Sequence, residues 1–258
     1  MNIIPYGRQY IDNQDIRLVT KALKKNLITT GDYVKKFEEE IKKLLKPKFA
    51  ISCSNGTAGL HLALKAINVQ KNDVIIMPAI NFISIYSFSQ MLGAKIFLAD
   101  VNPFTGQMTP KTVFECIKKN KIKKIKAIVT MYLGGYPENI PEFYNIKKKY
   151  KCYLIEDACH ALGAKYKFKN KKYYVGSCKH SDFAVFSLHP VKTITTGEGG
   201  IVTTNNKILA KKVQLLRSHG IERKNKHWEY NIKDFGFNYR LSDINCALGL
   251  GQLSKIKK

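Results

Sequence analysis

The sequence predicts an α/β fold of three layers, α/β/α, with helices covering both sides of a mostly parallel sheet. Two observations carry this. Short apolar runs of strand length alternate along the chain with amphipathic segments of helix length, the pattern of right-handed βαβ units. The runs are almost continuously apolar, as in Phe49–Cys53 and Ala127–Tyr132, which suits strands covered on both faces. With 258 residues, 45% hydrophobic and 24% charged, the chain can bury a sizeable core.

Taken in order, residues 14–28 and 33–45 read as helices, separated by a Thr29-Thr30-Gly31-Asp32 break. Phe49–Cys53 is a strand, Ser54–Thr57 a turn and Ala58–Ile67 a helix. Asp73–Pro78 is a strand, Phe82–Leu92 a helix and Lys95–Val101 a strand closed by a turn at Asn102–Gly106. Residues 110–120 form a helix that Thr109-Pro110 can start. Ala127–Tyr132 is a strand, 140–150 a helix and Cys152–Glu156 a strand. Lys165–Lys179, polar and aromatic, breaks the alternation as a surface hairpin or loop. Ala184–Leu188 and Gly200–Thr203 are further strands, and 206–217 and 242–256 the last helices. There is no internal repeat and no low-complexity linker.

Composition narrows the class. No apolar stretch approaches the ~20 residues of a membrane span, and Met1–Arg8 lacks a basic start followed by an apolar signal region. A soluble, cytoplasmic protein with no membrane partner is expected. The formal net charge of +25 raises nucleic-acid binding. Lysines occur in every region, however, as in Lys24-Lys25, Lys118-Lys119 and Lys171-Lys172. Scattered lysine without a basic motif favours solvated faces that help attract phosphorylated ligands, with no nucleic-acid partner. The six cysteines form no Cys-x-x-Cys pair and no metal spacing; free, mostly buried thiols and no metal are expected.

In open α/β sheets ligands bind beyond the carboxyl ends of the strands, and several such ends carry chemistry. Ser54-Asn55-Gly56-Thr57-Ala58 is a glycine turn feeding a helix start, which offers N–H groups and a helix dipole to a phosphate; an ordinary turn with Thr57 as cap fits equally. Glu156-Asp157 follows an apolar strand, and two acids there are not expected in the core. Asp157 can hold a protonated heterocyclic nitrogen or cap a helix. Lys192 lies between an apolar run, Phe183–Phe186, and a glycine-rich turn, with Ser187 five residues earlier as a phosphate-binding hydroxyl. Desolvation at the end of a buried strand would leave its amine free to attack a carbonyl. Phe235–Asp243 brings aromatics, an amide and an arginine to a helix start, with Ser242 or Asp243 as its cap. A Schiff-base lysine, an acid for a pyridine nitrogen and a phosphate cup together fit pyridoxal 5'-phosphate (PLP), and Phe82 could stack on the ring.

Ser187-Leu188-His189-Pro190-Val191-Lys192-Thr193-Ile194-Thr195-Thr196-Gly197-Glu198-Gly199-Gly200 resembles the lysine signature of the DegT/DnrJ/EryC1/StrS aminotransferases, the sugar-nucleotide branch of fold-type-I PLP enzymes. Glu156-Asp157-Ala158-Cys159-His160-Ala161 and Ser54–Ala58 are similar to its other motifs, and the resemblance runs from Ile4 to Ser254. It implies an aspartate-aminotransferase-like large domain over 31–258 after an N-terminal segment, 1–30, with the family's smaller C-terminal domain absent, so that a shortened copy is expected. It implies Lys192 as the catalytic Schiff-base residue, with Asp157 on the pyridine nitrogen and Gly56, Thr57 and Ser187, beside Ala58, on the phosphate. Phe82 would lie on the ring face and His160 near the cofactor oxygen. Asn238 would reach the phosphate of the neighbouring subunit in a homodimer, and Tyr6 and Thr30 would approach the sugar nucleotide. Phe237–Asp243, Arg217–Gly220 and the His189–Lys192 run are most similar to the pseudaminic-acid branch. That branch implies transfer of an amino group from L-glutamate, leaving 2-oxoglutarate, to C4 of a UDP-4-keto-6-deoxy-N-acetylhexosamine. The alternatives are a C3 or C4 aminotransferase of another nucleotide-linked keto sugar, or a shortened, non-catalytic protein that binds PLP or nucleic acid.

Overall fold

A computed structural model describes residues 4–223 and 228–256. Helices α1 (Asn13–Leu23) and α2 (Asp32–Leu45) precede the first strand, β1 (Phe49–Cys53), which leads into α3 (Gly56–Ala66). Then come β2 (Val74–Pro78), α4 (Ser84–Met91), β3 (Lys95–Ala99), α5 (Pro110–Lys119), β4 (Ala127–Met131), α6 (Ile140–Tyr150) and β5 (Tyr153–Asp157). A side hairpin, β6 (Lys165–Phe168) and β7 (Lys171–Tyr174), is followed by β8 (Phe183–Ser187), β9 (Gly200–Thr204) and α7 (Lys207–Arg217). A second small hairpin, β10 (Ile221–Arg223) and β11 (Tyr230–Ile232), precedes α8 (Asp243–Leu253).

The main sheet has seven strands in the order β1-β9-β8-β5-β4-β2-β3. β2, β3, β4, β5 and β8 pair in parallel, and β9 runs antiparallel between β8 and β1. The carboxyl ends of all strands but β9 therefore share one edge. Strand alternation sorts the core into two faces. Ile155, Phe183, Val185 and Val202 pack with Leu60 and Leu64 of α3 and Val213 of α7. Leu154, Ile128 and Ile76 pack with α5 and α6, and Ala184, Phe186 and Ile201 with Phe37 and Ile41 of α2 and Cys246 of α8. Helices thus cover both faces, and β4 and β9 are buried along their whole length.

The predicted first helix stops five residues early. Lys24 leaves the helical conformation, Ile28 accepts the Asp243 N–H at 3.0 Å and Thr29 bridges Ser242. Pairing with the distant start of α8 overrides the local helical period. No lysine among the described residues is buried. All six cysteines are free thiols, Cys159 half-buried and the others buried. No described helix is long and apolar enough to cross a membrane.

Candidate active site at the strand tips

Three strand tips meet in register. Cys53 of β1 pairs with Gly200, which pairs with Ser187 of β8, and Val185 pairs with Asp157 of β5. Over this edge the chain turns from β1 into α3. Asn55 caps α3, its side chain accepting the Ala58 N–H at 2.7 Å. The cap is therefore Asn55 and not Thr57, and the Thr57 hydroxyl instead meets Ser84 Oγ at 2.8 Å. The Gly56 and Thr57 N–H groups lie in the first turn of the helix, where no intrahelical acceptor exists.

Two glycines make this approach possible. A Cβ on Gly200 would overlap the Asn55 carbonyl. A Cβ on Gly56 would stand 3.0 Å from both Ser187 Cβ and Cys159 Sγ. The start of α3 thus rests directly on Ser187 and Cys159, which brings Gly56, Thr57 and Ser187 to one place.

Asp157 is 3% exposed, and its Oδ1 accepts the Cys159 N–H at 3.2 Å. Burial pushes its carboxyl up, against hydrogen bonds from Cys159 and the positive charge of Lys192. A buried carboxylate with little compensation is a strong acceptor for a cationic N–H. Burial lowers His160, with Lys192 adding to it, and burial and then Asp157 raise the Cys159 thiol. Lys192 therefore acts on Asp157, Cys159 and His160 together.

The loop that carries Lys192 is tied at several points. Leu188 donates to the Gly199 carbonyl and accepts from the Thr196 N–H and the Thr195 hydroxyl. Asn245 of α8 holds the Thr196 carbonyl at 2.6 Å. Lys192 closes a turn onto the His189 carbonyl at 2.9 Å and is half-buried. The apolar approach predicted an enclosed lysine. The turn after β8 instead lifts it above the strand tips, where part of it meets solvent.

Two corrections concern the acids. Glu156 is a core residue, 2% exposed, because the pleat sends it to the face opposite Asp157. Its Oε2 faces the Gly176 N–H at 3.4 Å. Asp243 caps α2 and not its own helix, accepting from the Gly31 and Tyr33 N–H groups at 2.7 and 2.8 Å, while Ser242 caps α8.

The remaining predicted residues lie on other segments. Phe82 precedes α4 by two residues, is 67% exposed and lies on the segment whose Ser84 meets Thr57. Tyr6 is fully exposed, next to Gly7, which rests on Val191 beside Lys192. Thr30 is exposed with φ 57° between two anchors on the start of α8. Asn238 is exposed and follows the end of α7 through a bridge to Ser218. Among the described residues no hydrogen bond or ring contact joins Tyr6, Thr30 or Asn238 to Asp157, Ser187 or Lys192. Cys159 and Asn55 are close to the centre but were not singled out. An Asn before a helix start is a cap signal that could have identified the second.

A lysine, a buried acid and a helix start thus stand at the carboxyl edge of a mostly parallel sheet, the edge at which proteins of the α/β class bind ligands. The chain belongs to the DegT/DnrJ/EryC1/StrS aminotransferase family, whose model matches residues 9–258. It is 41% identical over 254 residues to the UDP-4-amino-4,6-dideoxy-N-acetyl-beta-L-altrosamine transaminase of Campylobacter jejuni subsp. jejuni serotype O:23/36. That match covers 98% of this chain but 65% of the relative, so the chain spans about two thirds of the length of such relatives. Among solved structures it is similar to Helicobacter pylori PseC, an aminotransferase involved in the biosynthesis of pseudoaminic acid. The TM-score is 0.86 at 30% identity, over 98% of this chain and 66% of that one. The PLP-form of the putative sugar aminotransferase Spr1654 from Streptococcus pneumoniae gives a TM-score of 0.87 at 26% identity, over 98% of this chain and 67% of that one.

Proposed function

We propose that this chain is the PLP-binding part of a nucleotide-sugar aminotransferase, with residues 31–258 as its large domain. The observation that carries the reading is the convergence of Lys192, buried Asp157 and the Gly56–Ser187 contact at one strand edge. The residues fit the cofactor. A Cβ on Gly56 would close the space against Ser187, and Asp157 has a buried carboxylate that a protonated pyridine nitrogen would satisfy. Bound there, PLP would supply an electron sink for cleavage of a Cα–H bond.

The chain's own groups then have separate tasks. The Gly56 and Thr57 N–H groups, the α3 dipole and the Ser187 hydroxyl hold the phosphate, with Ala58 beside them. Asp157 keeps the ring nitrogen protonated. Lys192 Nζ holds the cofactor and moves a proton between the donor Cα and the cofactor C4′. Phe82 covers a ring face, and His160 stands near the ring oxygen. Tyr6 and Thr30 meet the sugar nucleotide, whose diphosphate the chain's positive charge attracts. A second copy completes the site, with Asn238 reaching across to the neighbour's phosphate. Exposed Phe82, Ile83 and Phe235, 67%, 61% and 85% accessible, are apolar surface that such a contact would cover.

The substrate pair follows from the family branch: L-glutamate as donor, leaving 2-oxoglutarate, and a UDP-4-keto-6-deoxy-N-acetylhexosamine aminated at C4. The test is direct. The 258-residue chain mixed with PLP should show a visible absorbance band, and borohydride reduction should fix the cofactor's mass on Lys192. Mass spectrometry should find an aminated sugar from glutamate and a panel of UDP-4-keto sugars. Lys192→Ala should lose the band, the fixed mass and the product. No band in the parent chain, together with no change in Lys192→Ala, would refute the reading.

A further inference from the structure

Turned away from the strand tips, in the middle of α3, is a histidine that the proposed chemistry does not use. His61 is 1% exposed. Its ring stacks on Phe88 of α4 at 4.0 Å and 4°. Its Nδ1 stands 3.1 Å from the Tyr239 hydroxyl. Phe237 leans on it at 5.1 Å and itself stacks on Tyr239 at 5.0 Å and 14°. Burial, reinforced by the charge of Lys65, lowers its pKa to about 4, so the ring is neutral at ordinary pH. Its Nε2 is buried with no partner. A leucine in the same slot would fill it without an unpaired ring nitrogen, but would take away the partner of the Tyr239 hydroxyl.

What the ring holds gives the reason. The Phe237–Tyr239 segment is pinned to the end of α7 by backbone bonds: Phe237 N–H to the Leu216 carbonyl, Tyr239 N–H to that of Arg217, and His219 N–H to that of Phe237. On the other side it meets the turn before α3, where the Tyr239 carbonyl accepts the Ser54 N–H at 2.8 Å. The Ala58 N–H is taken by Asn55 Oδ1, and the Gly59 N–H by the Asn55 carbonyl. With Ser54 also taken, Gly56 and Thr57 are the N–H groups that the helix start presents outward.

We propose that His61 is a positioning residue for the phosphate turn. Through the Tyr239 hydroxyl and the Phe88 stack it holds the Phe237–Tyr239 segment, keeping the Tyr239 carbonyl on the Ser54 N–H. The inference rests on the PLP reading above for its ligand, but not for its geometry.

Two readouts keep the two apart in the 258-residue chain. Hydrogen exchange at the Ser54 amide, bonded to the Tyr239 carbonyl, needs no cofactor. Tyr239→Phe, which removes one hydroxyl, should speed it about 5–10-fold, the amount one hydrogen bond is worth. His61→Leu should do the same, and His61→Asn, which can still meet the hydroxyl, should do so less. PLP titrated into the same proteins should bind about 5–10-fold more weakly to Tyr239→Phe and His61→Leu. Variants that lower the melting temperature while leaving both the Ser54 amide exchange and the PLP dissociation constant unchanged would show His61 to be packing only. A parent chain that binds no PLP would overturn the cofactor reading and leave the exchange result to decide the role of His61.

Discussion

Glu156 and Asp157 are neighbours in the chain whose environments the pleat separates. Asp157 faces α3, Cys159 and the charge of Lys192. Glu156 faces the opposite layer, and burial pushes its carboxyl up to about 7, offset in part by the Gly176 N–H and the Ser181 and Tyr132 hydroxyls. Unfolded, it would titrate near 4.5. Between those values the folded chain keeps a proton that the unfolded chain releases. The contribution of this group to stability is therefore full below the unfolded value and is lost as pH rises through the folded one. By about pH 8 the loss is on the order of 3 kcal/mol. Glu156→Gln keeps the shape and removes the charge. It should be nearly neutral in urea unfolding at pH 4.5 and stabilise by about 2–3 kcal/mol at pH 8. Equal effects at the two pH values would mean that folding does not shift the titration of Glu156.

Among the elements, the start of α3 carries opposed demands. Gly56 is in a helical first turn, where alanine would favour the helix by up to about 1 kcal/mol. The same Cβ would press on Ser187 and Cys159 at 3.0 Å. Gly56→Ala should therefore leave the melting temperature within about 2 °C of the parent and weaken PLP binding about tenfold, read by absorbance titration. Unaltered binding would mean that the Ser187 contact is not part of the cup. Most strands and helices were legible because each writes its pattern locally: Phe49–Cys53, Val74–Pro78 and Ala127–Met131 are apolar runs between turns. What was not legible depended on residues far away. The end of α1 is set by Ser242 and Asp243, more than two hundred positions on. The hairpin of β10 and β11 is mostly exposed, so neither strand shows alternation. Glu156 was misread because its strand-end position says that an acid is near the site, while only the sheet register says which face it takes. Asp157 and Ser187 could be placed near each other from the sequence because the ends of β5 and β8, parallel strands of one sheet, share an edge, and Lys192 follows Ser187 by five residues.

At the scale of the whole molecule, charge competes with itself. The sequence holds 44 basic residues against 19 acidic ones, so most lysines have no carboxylate to meet. Several of the ion pairs that do form are exposed, such as Lys43–Glu40 and Lys111–Glu115, and each contributes about 0–1 kcal/mol. The better-shielded pairs, Arg217–Glu38, Lys147–Asp182 and Lys255–Asp15, are screened less by salt. Raising ionic strength therefore removes more repulsion than attraction. The melting temperature should rise by roughly a few degrees between about 20 mM and about 300 mM sodium chloride. Chloride is the right choice because sulfate or phosphate could occupy the turn before α3 and stabilise by binding. The same rise with potassium chloride would assign it to screening, since screening depends on ionic strength and not on the identity of the cation. A fall in melting temperature with salt would show that the carboxylates are paired well enough to outweigh the excess charge, and that the lysine-rich surface is organised and not merely solvated.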